Sequence, residues 1–322
     1  MAPLPRRRQA PRRTLVIGEA LVDVVVAPDG SRTEHVGGSP LNVSVGLARL
    51  GHPVTLAAHI GRDERGADIG ARLSEAGVLL VPGSDSAEDT SVATATLDEH
   101  GVADYGFDIT WRVPALPDRS DHVHTGSIGA LLRPGGVDVL AAMDGARARA
   151  TTSYDPNIRP ALLGERAEVM TEVERRIAVS DVVKASEEDI AWLLGHEPDE
   201  DELEEELARW LDLGPGLVVA TLGAKGALAL HSSGRRVRMP APSVEVVDTV
   251  GAGDAAMAGL LSALLDEGLL GGAPGVRKRL RGASREAIEK AVRRAVTAGA
   301  ATVTRAGAQL PTRDELRGRR AG

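Results

Sequence analysis

Short apolar segments alternate with segments of helical spacing along most of this 322-residue chain. The apolar segments, several of them rich in valine and leucine, lie at residues 14–18, 54–60, 122–127, 151–154, 182–185 and 217–222. Helical segments lie between them, for example at residues 39–51, where Ser39 is suited to the N-cap, and at 64–76. This alternation is typical of a mostly parallel sheet covered by helices on both faces, so we predict an α/β fold.

Two segments interrupt the alternation, because each has the pattern of a β-hairpin. The first spans residues 21–36 with Pro28-Asp29-Gly30 at its turn. The second spans residues 90–112 with Glu99-His100-Gly101 at its turn. Hairpins that are separated in sequence can pair with each other, so we predict a small sheet beside the large one.

The composition excludes several classes of protein. A net charge of −8 argues against a nucleic-acid-binding protein, which would carry a basic patch. No apolar run approaches the length of a membrane span, and the absence of cysteine excludes disulfides and fits a reducing cytoplasm. We expect a cytoplasmic protein with one domain at residues 14–315, a disordered basic tail at 1–13 and a short tail at 316–322.

A glycine-rich turn at residues 248–254, D-T-V-G-A-G-D, leads into an apolar helical segment. Gly251 and Gly253 allow a tight turn without a Cβ that would obstruct a ligand. If the helix begins near Asp254, the N–H groups of Ala252, Gly253 and Asp254 point at one place, where the helix dipole favours an anion. An aspartate beside an anion site can take a proton, which suits phosphoryl transfer to a hydroxyl. The simpler alternative is a loop in which Asp254 only caps a buried helix.

This run resembles the signature of the ribokinase-like (PfkB) carbohydrate kinases, in which the aspartate is the base. A second segment, G-G-S-P-L-N-V-S-V-G-L-A-R-L-G at residues 37–51, resembles the N-terminal sugar-site motif of the same family. Two long motifs in the right order and about 200 residues apart are not expected to match by chance. The resemblance implies a ribokinase-like fold whose small sheet is a lid over the sugar and can contribute to a homodimer. It assigns catalysis to Asp254 as general base, with Gly251, Ala252 and Gly253 as the anion hole.

The resemblance also implies a sugar site. Asp23 would accept a hydrogen bond from a sugar hydroxyl, and Asn42 would reach other hydroxyls. Gly37 and Gly38 would let the backbone approach the sugar closely. From the residues alone, Asn42 could instead satisfy a local backbone group, and Asp23 could be an exposed strand residue.

The nucleotide site is implied by T-L-G-A-K-G at residues 221–226, which resembles the family's nucleotide loop. A later helical segment at 285–303 contains the small run Ala298-Gly299-Ala300-Ala301. Small residues can form a slot for adenine, but they equally permit tight helix packing. The residues expected to contact ATP are Thr221, Gly223, Gly226 and Ala298.

Two cation sites follow from the same resemblance. Magnesium should bridge the ATP phosphates with few protein ligands, and the family's N-x-x-E motif is tied to this metal. The aligned run here is S-E-E-D at residues 186–189, so Asp189 is expected to reach Mg²⁺ through water. T-R-A-G-A at residues 304–308 is similar to the family's run near a monovalent-cation site, to which Asp248 would belong, and potassium activation is a further hypothesis.

The sugar is less constrained than the reaction. Y-D-P-N-I-R-P at residues 154–160, G-E-A-L-V-D at 18–23 and H-T-G-S-I-G-A-L-L at 124–132 resemble segments of bacterial fructokinases. Arg159 could clamp an anionic group, or form only a surface ion pair. We predict ATP-dependent phosphorylation of a primary hydroxyl of fructose to give fructose 6-phosphate. Arginine here also suits acidic sugars, so 2-keto-3-deoxygluconate kinase is the nearest competitor, then ribokinase or nucleoside kinase, and a non-catalytic sugar or nucleotide sensor is the alternative of another class.

Overall fold

The computed structural model describes residues 13–99 and 103–318 of the chain. The strands in these ranges are β1 (Thr14–Ile17), β2 (Leu21–Val26), β3 (Arg32–Gly37), β4 (Val54–Ala57), β5 (Leu79–Leu80), β6 (Val92–Leu97), β7 (Ala103–Asp108), β8 (His122–Gly126), β9 (Thr151–Asp155), β10 (Val182–Ser186), β11 (Leu217–Thr221), β12 (Ala227–His231) and β13 (Arg235–Met239). The helices are α1 (Ser39–Arg49), α2 (Glu64–Ala76), α3 (Ser127–Leu131), α4 (Gly135–Ala146), α5 (Arg166–Ala178), α6 (Glu187–Leu194), α7 (Glu200–Leu213), α8 (Ala252–Asp266), α9 (Val276–Arg281), α10 (Arg285–Thr302) and α11 (Arg313–Gly318). None of the helices in the described ranges combines the length and apolarity that a bilayer span needs.

The large sheet has the strand order β13-β12-β11-β10-β9-β8-β1-β4-β5. Every neighbouring pair from β11 to β5 in this order is parallel. Strands β12 and β13 extend the sheet as an antiparallel hairpin, which the sequence analysis did not anticipate. The predicted mostly parallel α/β sheet is therefore confirmed, with an antiparallel edge added.

Helices cover both faces of this sheet. Successive strand residues point to opposite faces, so each strand contributes to two cores. In β1, Val16 packs into a core with α1, α8 and α10, whereas Leu15 and Ile17 pack into a second core with α4, α5, α6 and α7. In β11, Val219 faces the first core and Val218 the second. Strands that are buried on both faces need nearly continuous apolar sequence, which explains the valine-rich segments.

The two predicted hairpins pair into a separate small sheet, in the order β3-β2-β6-β7. Strands β2 and β6 are parallel, and each also pairs with the other strand of its own hairpin. Strand β2 follows β1 after three residues, and β3 leads directly into α1. These short connections attach the small sheet to the carboxyl end of the large sheet. His100 and Gly101, at the predicted second turn, lie outside the described residues.

Three boundaries differ from the predictions. Gly38, not Ser39, is the N-cap of α1, because the Ser39 side chain bonds elsewhere. Helix α8 begins at Ala252, two residues before Asp254. Helix α11 continues to residue 318 and buries Leu316, so the described residues after 315 are packed helix and not a tail. Of the predicted basic tail, residues 1–12 lie outside the described part of the chain.

Candidate active site

A cavity of about 620 Å³ lies between the small sheet, the carboxyl end of the large sheet and the start of α8. Its size is that of a small-molecule site. Apolar residues of the small sheet, among them Val24, Ala95 and Phe107, form one wall. The predicted site residues that line it are Asp23, Gly38, Asn42, Arg159, Gly251, Gly253 and Asp254. Sugar-site and catalytic candidates from distant parts of the sequence thus meet in one place.

Asp254 lies in the first turn of α8 with its carboxylate at the cavity wall. Its Oδ1 accepts a hydrogen bond from Ser39 Oγ at 2.6 Å, and its Oδ2 accepts one from Asn42 Nδ2 at 2.8 Å. The N-cap of α8 is Gly251, so Asp254 is not merely a capping residue. Two donors from α1 therefore fix a carboxylate that can take a proton from a ligand in the cavity.

Arg72, on α2, supports this arrangement, although its sequence context does not single it out. Its Nη2 donates to Asn42 Oδ1 at 2.9 Å and to Ala308 O at 3.0 Å, and its Nη1 donates to Val36 O. The Asn42 side chain therefore connects Arg72 to Asp254, where the sequence predicted contact with sugar hydroxyls. Burial lowers the pKa of Arg72, and the charge of Asp254 opposes that shift.

The turn before α8 and the first turn of that helix form a cradle of backbone N–H groups. Gly251 has φ of 78°, and a Cβ at this position would lie 2.6 Å from a neighbouring Cβ, so only glycine fits without strain. Among the described residues, the N–H groups of Gly253 and Asp254 have no hydrogen-bond acceptor. The N–H of Ala252 donates to Thr249 O at 3.2 Å. The cradle thus offers two free donors where three were predicted, because Ala252 closes the turn.

Asp23 and Gly37 fit together on neighbouring strands of the small sheet. Asp23 lies opposite His35 on β3, and a Cβ on Gly37 would lie 2.1 Å from Asp23 Oδ2. Glycine at residue 37 therefore makes room for the Asp23 carboxylate and not directly for a ligand. The Asp23 side chain is exposed to the cavity. Partial desolvation there raises its pKa, and the positive charge of Arg159 opposes the shift.

Glu19 is a further carboxyl group in the cavity wall that the sequence analysis did not assign to the site. It is buried between β1 and β2, and its Oε2 accepts a hydrogen bond from the Gly129 N–H at 2.8 Å. Burial raises the pKa of Glu19 to about 7, and hydrogen bonds together with the charge of Arg159 oppose the shift. Arg159 thus acts on two carboxyl groups of the cavity, Glu19 and Asp23.

The predicted nucleotide residues lie outside the cavity wall and differ in their environments. Thr221 ends β11 and its Oγ1 donates to Ala185 O at 3.3 Å, and Gly223 begins the turn that follows. Gly226 is required by the backbone, since a Cβ there would lie 2.0 Å from Met239 O. The Ala298 side chain is fully buried against α8, which favours tight helix packing over an adenine slot, and its contact with ATP stays a prediction.

Protein donors hold both carboxylate oxygens of Asp189. Its Oδ2 accepts hydrogen bonds from Ser186 N at 2.9 Å and Ser186 Oγ at 2.8 Å, which completes a capping box for α6. Its Oδ1 accepts one from Ile158 N at 2.6 Å. Asp189 therefore shapes the turn and anchors the segment that carries Arg159, and its contact with magnesium through water stays a prediction.

Asp248 ties the catalytic turn to the segment at residues 304–308. Its Oδ1 accepts a hydrogen bond from Val250 N at 3.0 Å, and its Oδ2 accepts one from Gly307 N at 2.7 Å. These backbone donors lower the pKa of Asp248, so it stays ionised. The two segments that the sequence linked to a monovalent cation are thus neighbours.

A buried ion pair that the sequence analysis missed lies behind the same turn. Lys184 Nζ is 2.9 Å from Asp155 Oδ2, and both side chains are almost completely buried. Among the described residues, neither Asp155 oxygen has a hydrogen-bond partner of good geometry, so the contact with Lys184 is an ion pair. Burial raises the pKa of Asp155 to about 7, while the charge of Lys184 opposes the shift.

Comparison with known proteins gives a consistent set of relatives. The family model described as pfkB family carbohydrate kinase matches residues 12–315. A fructokinase from Rhizobium leguminosarum bv. trifolii is 34% identical over 269 residues, which cover 80% of this chain and 81% of that protein. A fructokinase from Klebsiella pneumoniae is 32% identical, with 79% and 85% covered.

Solved structures agree with these matches. A double mutant of the fructokinase from Vibrio cholerae O395, in fructose, ADP and potassium ion bound form, has a TM-score of 0.79 at 28% identity and covers 97% of this chain and 99% of its own. The aminoimidazole riboside kinase from Salmonella enterica, complexed with aminoimidazole riboside and an ATP analog, has a TM-score of 0.75 at 26% identity, with 95% and 99% covered.

Proposed function

Because this chain belongs to the pfkB family of carbohydrate kinases, we propose that it transfers the terminal phosphoryl group of ATP to a primary hydroxyl of fructose. The observation that carries the proposal is the position of the Asp254 carboxylate, which lies in the cavity wall beside two backbone N–H groups that have no acceptor among the described residues. The fructokinases among its relatives support fructose as the acceptor. We also propose that residues 14–315 act as one kinase domain in the cytoplasm.

In the proposed reaction, Asp254 takes the proton of the hydroxyl as the sugar oxygen attacks the terminal phosphorus atom. A bond forms between that oxygen and phosphorus, the bond to the bridging oxygen breaks, and ADP leaves. The N–H groups of Gly253 and Asp254 stabilise the negative charge that is spread over the transferred group. Ser39 and Asn42 keep the carboxylate aligned throughout.

The charges of the cavity favour a neutral sugar over an acidic one. Arg159, the cation we expected to suit an acidic sugar, shares the wall with the carboxyl groups of Glu19, Asp23 and Asp254. An acidic sugar such as 2-keto-3-deoxygluconate would meet the carboxyl groups of Asp23 and Asp254 together with the arginine, and also Glu19, which burial keeps partly protonated near pH 7. Like charges in a cavity disfavour binding, so fructose fits the site better.

Magnesium would be held mainly by the ATP phosphates, because the described residues contain no group of three or more His, Asp or Glu side chains that could bind it alone. Glu187, beside Ser186 at the cavity edge, is the carboxylate that fits a water-mediated contact. Among the described residues its oxygens meet only Lys225 Nζ, at 3.2 and 3.4 Å. When bound, the ion supplies positive charge that neutralises the phosphates.

A potassium site is proposed between Asp248 and residues 304–308. The contact of Asp248 with Gly307 supports it, as does the potassium ion of the Vibrio cholerae fructokinase structure. Replacement of potassium by choline should then lower turnover. Unchanged turnover would exclude the site.

A homodimer through the small sheet is also proposed. Tyr105 of β7 is 62% exposed, and its ring stacks on Phe107 with centroids 6.2 Å apart. Both rings also line the open side of the cavity, so a second subunit that covers them would close the cavity over the sugar. Sedimentation of wild type and Tyr105→Ser should show a dimer that the substitution weakens, and a wild-type monomer would contradict this part of the proposal.

An ATP-consumption assay across a panel of sugars tests the function. Fructose should give the highest kcat/KM, with ribose, nucleosides and 2-keto-3-deoxygluconate well below it. A preference for the acidic sugar would contradict the charge argument. Sugar binding without ATP consumption on any sugar would identify a sensor instead of an enzyme.

A further inference from the structure

Lys184 and Asp155 form an ion pair that no step of the proposed reaction uses. Ser153 and Tyr154 of β9 pair with Val182 and Val183 of β10, so Asp155 and Lys184 are the next residues along these neighbouring strands. The exposed fraction is 3% for the Lys184 side chain and 1% for that of Asp155. Burying two charges costs several kcal/mol for each ion, and an apolar pair is often at least as stable. The pair is therefore poorly explained by stability alone.

The ammonium group of this pair lies against the phosphate cradle. A Cβ built on Gly253 would be 3.5 Å from Lys184 Nζ, which is an ordinary van der Waals contact. Gly253 carries one of the two N–H groups that have no acceptor in the described part of the chain. Inside the protein the charge is screened only weakly, so it acts across the backbone on an anion held at the turn.

The surrounding charges keep this ammonium protonated. Burial lowers the pKa of Lys184, but the charges of Asp155, Asp189 and Asp254 outweigh burial and raise the pKa above its ordinary value. Asp254 is negative in its role as base and would repel the phosphates of ATP. A fixed positive charge beside it offsets that repulsion.

We propose that Lys184 is a positioning residue for phosphoryl transfer, in which its ammonium, anchored by Asp155, attracts the terminal phosphoryl group into the cradle at Gly253 and Asp254. This inference rests on the proposed function for its chemistry. Lys184 acts on the terminal phosphate, which ADP lacks, so the affinity for ADP should not depend on this lysine. The same charge stabilises the group during transfer, which makes kcat the sensitive parameter and leaves the KM for sugar unchanged.

The test is a cycle of Lys184→Met, Asp155→Asn and the double variant. Lys184→Met should lower kcat about 10²-fold, and it should remove most of the affinity difference between a non-hydrolysable ATP analogue and ADP. Asp155→Asn should give a similar loss, because the lysine loses its anchor. The double variant should be no worse than Lys184→Met, since the two residues act as a unit. It also leaves no uncompensated buried charge, so it can fold where a single variant does not.

Lys290→Met is the matched control, because Lys290 is on α10, partly exposed and paired with Glu267. It should leave turnover and both nucleotide affinities unchanged. Equal losses of ADP and analogue affinity, or additive losses of kcat in the cycle, would show a structural role and overturn the proposal. Calorimetric titration of both nucleotides needs no sugar. It therefore decides the role of Lys184 even if the wild type phosphorylates no sugar and the proposed function fails.

Discussion

Gly251 and Gly253, two residues apart, should respond in opposite ways to the same substitution. Gly251→Ala places a Cβ in a left-handed conformation and 2.6 Å from its neighbour, so the free energy of unfolding should fall by about 1–3 kcal/mol. Gly253→Ala meets nothing nearer than 3.5 Å and lies in the first turn of a helix, so stability should be kept. Its methyl group would instead obstruct the phosphate and raise the KM for ATP. Thermal unfolding and kinetics of both variants check the pair, and a destabilised Gly253→Ala with normal KM would contradict the cradle.

Glu19 should make stability depend on pH in a direction unusual for a carboxyl group. Burial raises its pKa from 4.5 to about 7, so the folded state binds a proton between these pH values that the unfolded state has lost. The contribution of this group to the free energy of unfolding is therefore full below pH 4.5 and decreases by about 3 kcal/mol as the pH rises to 7 and above.

The variant Glu19→Gln cannot ionise and keeps an oxygen to accept the Gly129 N–H. Its stability should exceed that of the wild type above pH 7 and lack this part of the pH dependence. Urea unfolding from pH 4.5 to 8 measures both proteins. Parallel curves would show that Glu19 is ionised in the folded state as readily as in the unfolded one.

At the scale of elements, the contact between α8 and α10 decides whether Ala298 has a role in packing or in nucleotide binding. Ala298 is fully buried, and its Cβ is 3.1 Å from the position of a Cβ on Gly259. Ala298→Val should therefore lower the free energy of unfolding by about 1–3 kcal/mol through overpacking, with the KM for ATP unchanged. A raised KM for ATP with normal stability would show instead that Ala298 lines a slot for adenine.

Much of the architecture could be predicted from local patterns. Strand and helix periodicity gave the parallel sheet, and the hairpin patterns gave the small sheet, because both depend on neighbouring residues. The edge hairpin β12–β13 was missed, since its strands follow a glycine-rich loop that was assigned only to nucleotide binding. Ser39 was taken as a cap because capping is local, whereas its actual acceptor, Asp254, is 215 residues away.

The supporting residues of the site could not be predicted for the same reason. Arg72 and Lys184 occur in ordinary helix and strand segments, and only the folded chain brings them to Asn42 and Asp155. The S-E-E-D segment shows a second reason, which concerns the predicted magnesium contact of Asp189. Asp189 aligns with the family's metal-handling position, but as the N3 residue of α6 its carboxylate also completes a capping box.

In the whole molecule, the small sheet and the large sheet together enclose the cavity, and we propose that the charge of the cavity wall favours the neutral sugar. Arg159→Gln removes its cation and leaves the carboxyl groups of Glu19, Asp23 and Asp254. If Arg159 serves to balance these groups, the variant should bind fructose about 10-fold more weakly. Its activity on 2-keto-3-deoxygluconate should not fall further than its activity on fructose. Values of kcat/KM for fructose and 2-keto-3-deoxygluconate test this prediction. A selective loss of activity on the acidic sugar would show instead that Arg159 binds its carboxylate.

The proposed function depends on Asp254 as the base of a phosphoryl transfer. The most direct measurement is the rate of ATP-dependent fructose phosphorylation by wild type and Asp254→Asn, prepared in parallel, with nucleotide affinity determined on the same samples. The wild type should phosphorylate fructose, and the variant should bind nucleotide normally but lose 10²-fold or more in kcat. Turnover of the variant within a few-fold of wild type would contradict the role of Asp254 as the base.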